Sequence, residues 1–169
     1  MADFGISVSE IPKTVPPDHW AYWPVAENRK FVMAIFGLRQ GQRLPMHDHP
    51  GMTVLMKPLF GSLRIHSFTK DGPICGRRVR IKDERIQEIS RDPDFPVWEI
   101  GVDTGNDIHE IKALTDCAFV DLVVPPYEAY GERSITYFEK SRVAGFLDVV
   151  PERWDHRSTR LELDLSLTQ

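Results

Sequence analysis

The stretch GQRLPMHDHPGMTVLMKPLFGSLRIHSF, residues 41–68, decides the fold class of this chain. Residues 52–60 and 63–68 are short apolar or alternating runs separated by Gly61 and Ser62, which is typical of β-strands. His47 and His49 are two residues apart, so in an extended strand both imidazoles face the same side. The stretch therefore predicts β structure that presents a pair of histidines on one face.

Beyond this stretch, glycine, proline and aspartate recur at short intervals and separate further short apolar runs. Many short strands at such spacing indicate an all-β sandwich or barrel. Residues 11–28 are expected to hold at most a turn or two of helix, because Pro16, Pro17 and Pro24 oppose a longer one. Leucines at alternate positions of 161–167 predict a half-buried strand in the tail. The other predicted strands are residues 31–39, 52–60, 63–68, 77–82, 97–101, 108–114, 118–124 and 135–138.

Length and composition narrow the class of protein further. The 169 residues predict one domain, and 13 prolines with 11 glycines are too few for a disordered or collagen-like chain. The net charge of −4 predicts no nucleic-acid partner. No apolar run approaches the roughly 20 residues that span a bilayer, so no membrane association is predicted. Cys75 and Cys117 are too few for a disulfide framework, so we expect a cytoplasmic monomer with two free thiols.

His109 is the third candidate metal ligand. In the predicted strand of residues 108–114 it shares an apolar face, and an inward-pointing histidine needs partners for both ring nitrogens. A metal ion shared with His47 and His49 would supply one, because imidazole is a natural ligand for divalent first-row metals. The pair His47 and His49 by itself also fits two satisfied or exposed histidines. The histidines without an assigned role are His19, His66, which is expected at the surface, and His156.

Asp121 is the one carboxylate of the predicted strand 118–124, whose other residues are apolar on both faces. A charge among apolar neighbours is costly unless it is paired. Asp121 is therefore either a surface residue on a sheet edge or the partner of a group such as a substrate ammonium or a histidine N–H.

Residues 41–68 and the stretch GNDIHEIKALTDCAFVDLVVPPY, residues 105–127, resemble the metal-binding segments of the thiol dioxygenases. The subgroup is that of the cysteamine (2-aminoethanethiol) dioxygenases and the plant cysteine oxidases, and LPMHDHPGM is the most specific motif. The resemblance implies a cupin, or double-stranded β-helix. Together with the chain length, this predicts one domain over residues 1–169, in which residues 1–28 are expected to form a mostly irregular extension. It also implies a metal held by His47, His49 and His109 without a carboxylate, since Val54 stands where generic cupins carry a glutamate ligand.

The resemblance implies an iron(II) enzyme that adds both atoms of O₂ to the sulfur of cysteamine or of an N-terminal cysteine, giving a sulfinic acid. Three neutral imidazoles leave the ion its full 2+ charge, which favours the substrate as a thiolate. Zinc lacks the redox chemistry that iron can supply to O₂. The resemblance to plant cysteine oxidases also implies a role in oxygen sensing. The alternatives are a non-redox zinc or manganese isomerase or hydrolase, and a small-molecule-binding cupin without catalysis.

Asp121 and Tyr127 are the candidate substrate-binding and catalytic residues beside the metal. Asp121 is expected to hold the substrate amine. Tyr127 matches the tyrosine of the family's PPY segment; it could hydrogen-bond substrate or dioxygen, or simply form the wall of the pocket. Some relatives join a cysteine to the tyrosine two residues later by a thioether. Ile135 stands in that cysteine's place before Tyr137, so no crosslink is predicted.

Overall fold

The computed structural model describes residues 7–91, 97–101, 104–151 and 158–160. These residues form a short 3-10 helix over Val8–Lys13 and a series of β-strands. The strands are β1 (Trp20–Glu27), β2 (Val32–Leu38), β3 (Arg43–Asp48), β4 (Thr53–Phe60), β5 (Ser62–Lys70), β6 (Arg78–Ser90), β7 (Trp98–Ile100), β8 (Ile108–Ala113), β9 (Cys117–Val124), β10 (Tyr137–Lys140), β11 (Phe146–Val150) and β12 (Ser158–Arg160).

The strands build two sheets of six strands each among the described residues. One sheet has the order β12-β1-β2-β9-β4-β7 and is antiparallel except where β12 pairs with β1. The other closes on itself in the order β10-β11-β6-β5-β8-β3, through the pairing of Tyr137 with His47. The prediction of an all-β fold of many short strands is therefore confirmed.

Both sheets contribute to one apolar core. Met56 and Phe119 of the first sheet belong to the same buried cluster as Leu63 and Ile111 of the second. Burying a side chain of this size contributes about 1.5–3 kcal/mol relative to leaving it in water. The closed sheet is filled by a second cluster, to which each of its six strands adds one residue: Met46, Phe68, Val79, Ile108, Phe138 and Leu147.

The N-terminal segment is more regular than predicted. Residues 11–28 were expected to hold at most a turn or two of helix in a mostly irregular extension. The short 3-10 helix Val8–Lys13 agrees with the first part, but the second part is wrong, because Trp20–Glu27 is strand β1. Trp20 is buried in the core, while Trp23 packs with Ile11 on another cluster. The pairing with β2 shifts register between Pro24 and Ala26, and such an irregularity is where a strand tolerates proline.

Several other strand bounds differ from the sequence prediction. β6 was predicted over residues 77–82 but runs from Arg78 to Ser90, because its residues 81–90 pair with β5 as a hairpin. The strand predicted over residues 135–138 begins only at Tyr137 and continues to Lys140. Strands β3 and β11 were not among the predicted strands. The predicted tail strand of residues 161–167 and His156 lie outside the described residues.

The last described residues, strand β12, pair with the first sheet. β12 runs beside β1, and Nδ1 of His19 lies 2.8 Å from the hydroxyl of Thr159. This hydrogen bond gives His19 a structural place. Within the described parts of the chain, no helix is long and apolar enough to cross a membrane.

Candidate metal centre

Three histidines, one on β3, one just after it and one on β8, meet in a cavity that residues of β2 also line. The register of β3 and β8 places His47 directly opposite His109, a position where Cβ atoms are about 4.5–5.5 Å apart. His49 follows the end of β3. The ring centroids are 4.7, 4.9 and 5.0 Å apart, and the candidate ligand nitrogens all lie within 4.8 Å of one another. The structure thus brings together the three predicted ligands, although they come from distant parts of the sequence.

A bulge in β3 determines which of its side chains face the cavity. Leu44 pairs with Ile111 and His47 pairs with His109, so β3 contains one residue more than β8 over the same length. The extra residue reverses the alternation of faces. Leu44 and His47 consequently line the same cavity, whereas Met46 packs inside the closed sheet.

Hydrogen bonds hold two of the rings from behind. Nδ1 of His47 lies 2.8 Å from the carbonyl oxygen of Pro45, which can only accept, so this nitrogen donates. The Tyr127 hydroxyl donates its single proton to the carbonyl oxygen of Asp48 and therefore accepts from Nδ1 of His49, both at 2.6 Å. Each ring then carries its proton on Nδ1, which leaves the lone pair of Nε2 available to a metal ion.

The electrostatics of the cluster favour neutral imidazoles. Burial lowers the pKa of His47, and it lowers the pKa of His49 and of His109 well below the usual histidine value. The mutual proximity of the rings lowers the pKa of His49 and His109 further. Neutral imidazole is the form that binds metals.

The residues present fit a divalent metal ion. Nδ1 of His109 is buried and has no hydrogen-bond partner among the described residues, and such an atom needs an explanation. The cluster in the described chain consists of three histidines and no carboxylate. Val54, which the sequence resemblance matched to the generic cupin glutamate, is fully buried in β4 opposite Ile100 and Val123.

The histidines open into a cavity of about 720 Å³. Much of its wall is apolar and includes Val32, Ala34 and Phe36 of β2. Tyr130, at its rim, is 93% exposed, so the cavity reaches the surface beside this residue.

Asp121 lines the same cavity and is not a surface residue. β9 lies between β2 and β4 in its sheet, where Asp121 pairs with Ala34 and Met56 and is only 8% exposed. Its Oδ1 has no hydrogen-bond partner among the described residues. Burial raises the pKa of Asp121 to about 8. Of the two alternatives left open by the sequence, the structure thus excludes the exposed edge position.

Tyr127 has a role that sequence reasoning missed. It lines the cavity, as one alternative held, but its hydroxyl is engaged by His49 and Asp48 rather than free for a ligand. Burial raises the pKa of Tyr127 well above its usual value, so the hydroxyl keeps the proton that it donates. The aromatic side chain therefore supports the ring of His49.

Asp48 and Lys70 were also missed. Asp48 lies between the two histidines of the motif, is 2% exposed, and forms an ion pair of 3.0 Å with Lys70. The signal available in the sequence for Asp48 was its position between two histidines that were predicted to share one face of a strand. Its partner is on another strand, so no local pattern could identify the pair.

His66 lies apart from the cluster. Its Nε2 is 2.6 Å from Oε1 of Glu84, which also accepts from Lys140. The side chain is 14% exposed, less than its expected surface position implied.

The facing sheets and the three imidazoles define a double-stranded β-helix, or cupin, with a candidate metal centre. A solved double-stranded β-helix protein from Klebsiella pneumoniae matches 80% of this chain and 96% of its own length with a TM-score of 0.52, at 17% identity. The chain belongs to the PCO_ADO family, whose model matches residues 9–164. This confirms the cupin fold and the family inferred from the sequence motifs.

Two relatives illustrate the family. The chain is 33% identical over 141 residues to the "Probable 2-aminoethanethiol dioxygenase" of Dictyostelium discoideum, covering 77% of this chain and 61% of that protein. It is 34% identical over 111 residues to "Plant cysteine oxidase 1" of Arabidopsis thaliana, covering 64% of this chain and 38% of that protein. The chain thus spans about half the length of the relatives it matches.

The cavity wall also supports a prediction about covalent modification. Ile135 and Tyr137 both line the cavity, and an isoleucine has no sulfur to join to a tyrosine. Cys75 and Cys117 are free. We expect one species with the intact mass of the sequence and a single band on a reducing gel. A loss of two hydrogens that peptide mapping assigns to Tyr137 would contradict the prediction.

Proposed function

We propose that this protein is an iron(II)-dependent thiol dioxygenase that converts a thiol and O₂ into a sulfinic acid. Both oxygen atoms join the same sulfur; the sulfur is oxidised, the oxygen is reduced, and no further reductant is consumed. One observation carries the proposal. In a chain of this family, the candidate metal ligands are three neutral imidazoles, no carboxylate belongs to their cluster among the described residues, and Asp121 lines the same cavity.

His47, His49 and His109 would hold the ion, and iron(II) supplies the redox chemistry that O₂ requires. The carbonyl of Pro45 and the hydroxyl of Tyr127 fix the rings of His47 and His49, so little reorganisation is needed when a metal binds. Apolar walls keep much of the surrounding volume free of competing polar ligands.

The charges of the cavity favour a substrate with an amine. None of the described lining residues is a lysine or arginine, and the lining carboxylates are Asp121 and Glu128. Glu128 is engaged by Arg133, whereas Asp121 has a free oxygen. A substrate ammonium beside Asp121 would favour its charged form, since a nearby opposite charge lowers the pKa of a carboxyl group.

The volume of the cavity favours an N-terminal cysteine over free cysteamine as the substrate. Cavities of roughly 300–1,000 Å³ hold drug-sized ligands. At about 720 Å³, this cavity greatly exceeds the size of cysteamine and has room for residues that follow an N-terminal cysteine. The expected monomeric state, cytoplasmic location and oxygen-sensing role stay predictions.

Oxygen consumption with three thiols tests the proposed function. The iron-reconstituted protein should oxidise an N-terminal cysteine peptide and cysteamine, and should oxidise free cysteine at least about tenfold more slowly, because its carboxylate meets Asp121 without a cation to pair with. Mass spectrometry should show the gain of two oxygen atoms on the thiol. Copper, nickel and zinc outcompete iron for such ligands, so each preparation needs metal analysis before reconstitution.

The same assay separates the alternatives. A zinc or manganese isomerase or hydrolase would consume no oxygen with any thiol, and neither would a binding protein. Absence of oxygen consumption from a fully iron-loaded protein would therefore reject the proposal.

A further inference from the structure

Lys70, the last residue of β5, bridges the two segments that carry the histidines. Its Nζ lies 3.0 Å from Oδ2 of Asp48 and 3.3 Å from Oδ2 of Asp107. Asp48 separates His47 from His49, and Asp107 precedes His109 by two residues. A single ammonium group thus connects the parts of the chain that supply all three imidazoles.

The side chain and the backbone of Asp48 both form hydrogen bonds with neighbouring segments. Its Oδ1 accepts from the backbone N–H of Thr136 at 2.9 Å, and its own N–H donates to the carbonyl of Thr136 at 3.1 Å. Its carbonyl accepts the Tyr127 hydroxyl that also supports His49. Because the side chain is buried, Lys70 is the cation that compensates its charge.

Asp107 completes the connection from the other side. Its Oδ1 accepts from the backbone N–H of Lys70 at 3.2 Å, and its carbonyl accepts from the backbone N–H of His49, also at 3.2 Å. The position of His49 therefore depends on both aspartates. Without the ammonium, two neighbouring carboxylates would face each other, and a buried one would be unpaired, which is strongly unfavourable.

We propose that Lys70 is a positioning residue for the metal centre: its ammonium locks the His47–His49 segment against the segment of His109. The inference rests on the metal-binding part of the proposed function and not on the reaction. Residues behind the ligands typically alter metal affinity by about 10- to 100-fold. An effect of this size is expected here because one side chain orients ligands on two strands.

Lys70→Met tests the proposal, because methionine keeps the length of the side chain and removes the charge. Metal-free protein would be titrated with Co²⁺, with visible absorption reporting both affinity and ligand geometry. We expect Co²⁺ to bind about 10- to 100-fold more weakly and with an altered spectrum. Lys140→Met is the matched control, since it breaks an exposed ion pair of 2.7 Å with Glu84 and should leave both readouts unchanged.

A double variant, Lys70→Met with Asp48→Asn, separates positioning from folding. It removes the unpaired buried charge and keeps an oxygen that can accept from Thr136, so it should fold even if the single variant does not. It should still bind Co²⁺ weakly, because the connection to Asp107 is missing.

Three results would overturn the proposal. One is a folded Lys70→Met protein with wild-type Co²⁺ affinity, and another is wild-type affinity in the double variant. The third is loss of folding in both variants, which would make the role of Lys70 purely structural. If the wild-type protein oxidises no thiol, the proposed reaction fails, but the comparison of Co²⁺ affinities still decides the role of Lys70.

Discussion

Replacing His109 with alanine should remove the bound metal and with it the oxidation of thiols. Changes to residues behind a metal ligand already cost about 10- to 100-fold in affinity or activity. Loss of one of three ligands should therefore exceed this range, because only His47 and His49 would remain. The measurements are metal content after iron(II) reconstitution and oxygen consumption with an N-terminal cysteine peptide.

His66→Ala is the matched control for this experiment. His66 lies outside the cavity and pairs with Glu84, so its removal should leave metal content and turnover unchanged. Circular dichroism should show that both variants are folded. A folded His109→Ala protein that retains its iron would reject the assignment of the ligands.

Asp121→Asn should lower turnover by about one to two powers of ten, because it keeps the shape of the side chain and removes the charge that we propose holds the substrate amine. A charge-assisted hydrogen bond contributes roughly 1.5–3 kcal/mol, and about 1.4 kcal/mol corresponds to a factor of ten in rate. Iron content should stay at the wild-type level, since the three histidines are unchanged. Steady-state oxygen consumption over a range of cysteamine concentrations measures the effect.

The same variant should stabilise the metal-free protein at alkaline pH. Below about pH 4, Asp121 is protonated in both the folded and the unfolded state. Between this pH and the folded pKa of about 8, only the unfolded state ionises, so the free energy of unfolding falls as pH rises, by at most about 1.4 kcal/mol per pH unit. Asparagine does not titrate, so thermal melts should show a gain in Tm that is larger at pH 8 than at pH 5.

Asp83→Asn serves as the control for both measurements, because Asp83 is on β6 outside the cavity and pairs with Arg85. It should alter neither turnover nor the dependence of Tm on pH. Wild-type turnover in Asp121→Asn would return Asp121 to a structural role. If Asp121→Asn changes the Tm relative to the wild type by the same amount at pH 5 and pH 8, the buried carboxyl group does not titrate as its environment implies.

The features that sequence alone predicted are those carried by local patterns. Alternating runs between turn residues indicated the β class, because successive side chains of a strand point to opposite faces. The LPMHDHPGM motif indicated the family and, with His109, the three histidines that the structure brings together. By contrast, β1 was missed because Pro24 opposes regular structure, and only the bulge in its pairing with β2 accommodates this residue.

Only the tertiary structure decided the direction and the partners of the other site residues. The sequence left Asp121 either on a sheet edge or buried, because both faces of its strand are apolar; the position of β9 between β2 and β4 makes it a cavity residue. Tyr127 and Lys70 contact the histidine segments from distant positions in the chain. Such contacts arise from strand pairing between remote segments, and the one-residue bulge in β3 changes which side chains share a face, so no local pattern could contain them.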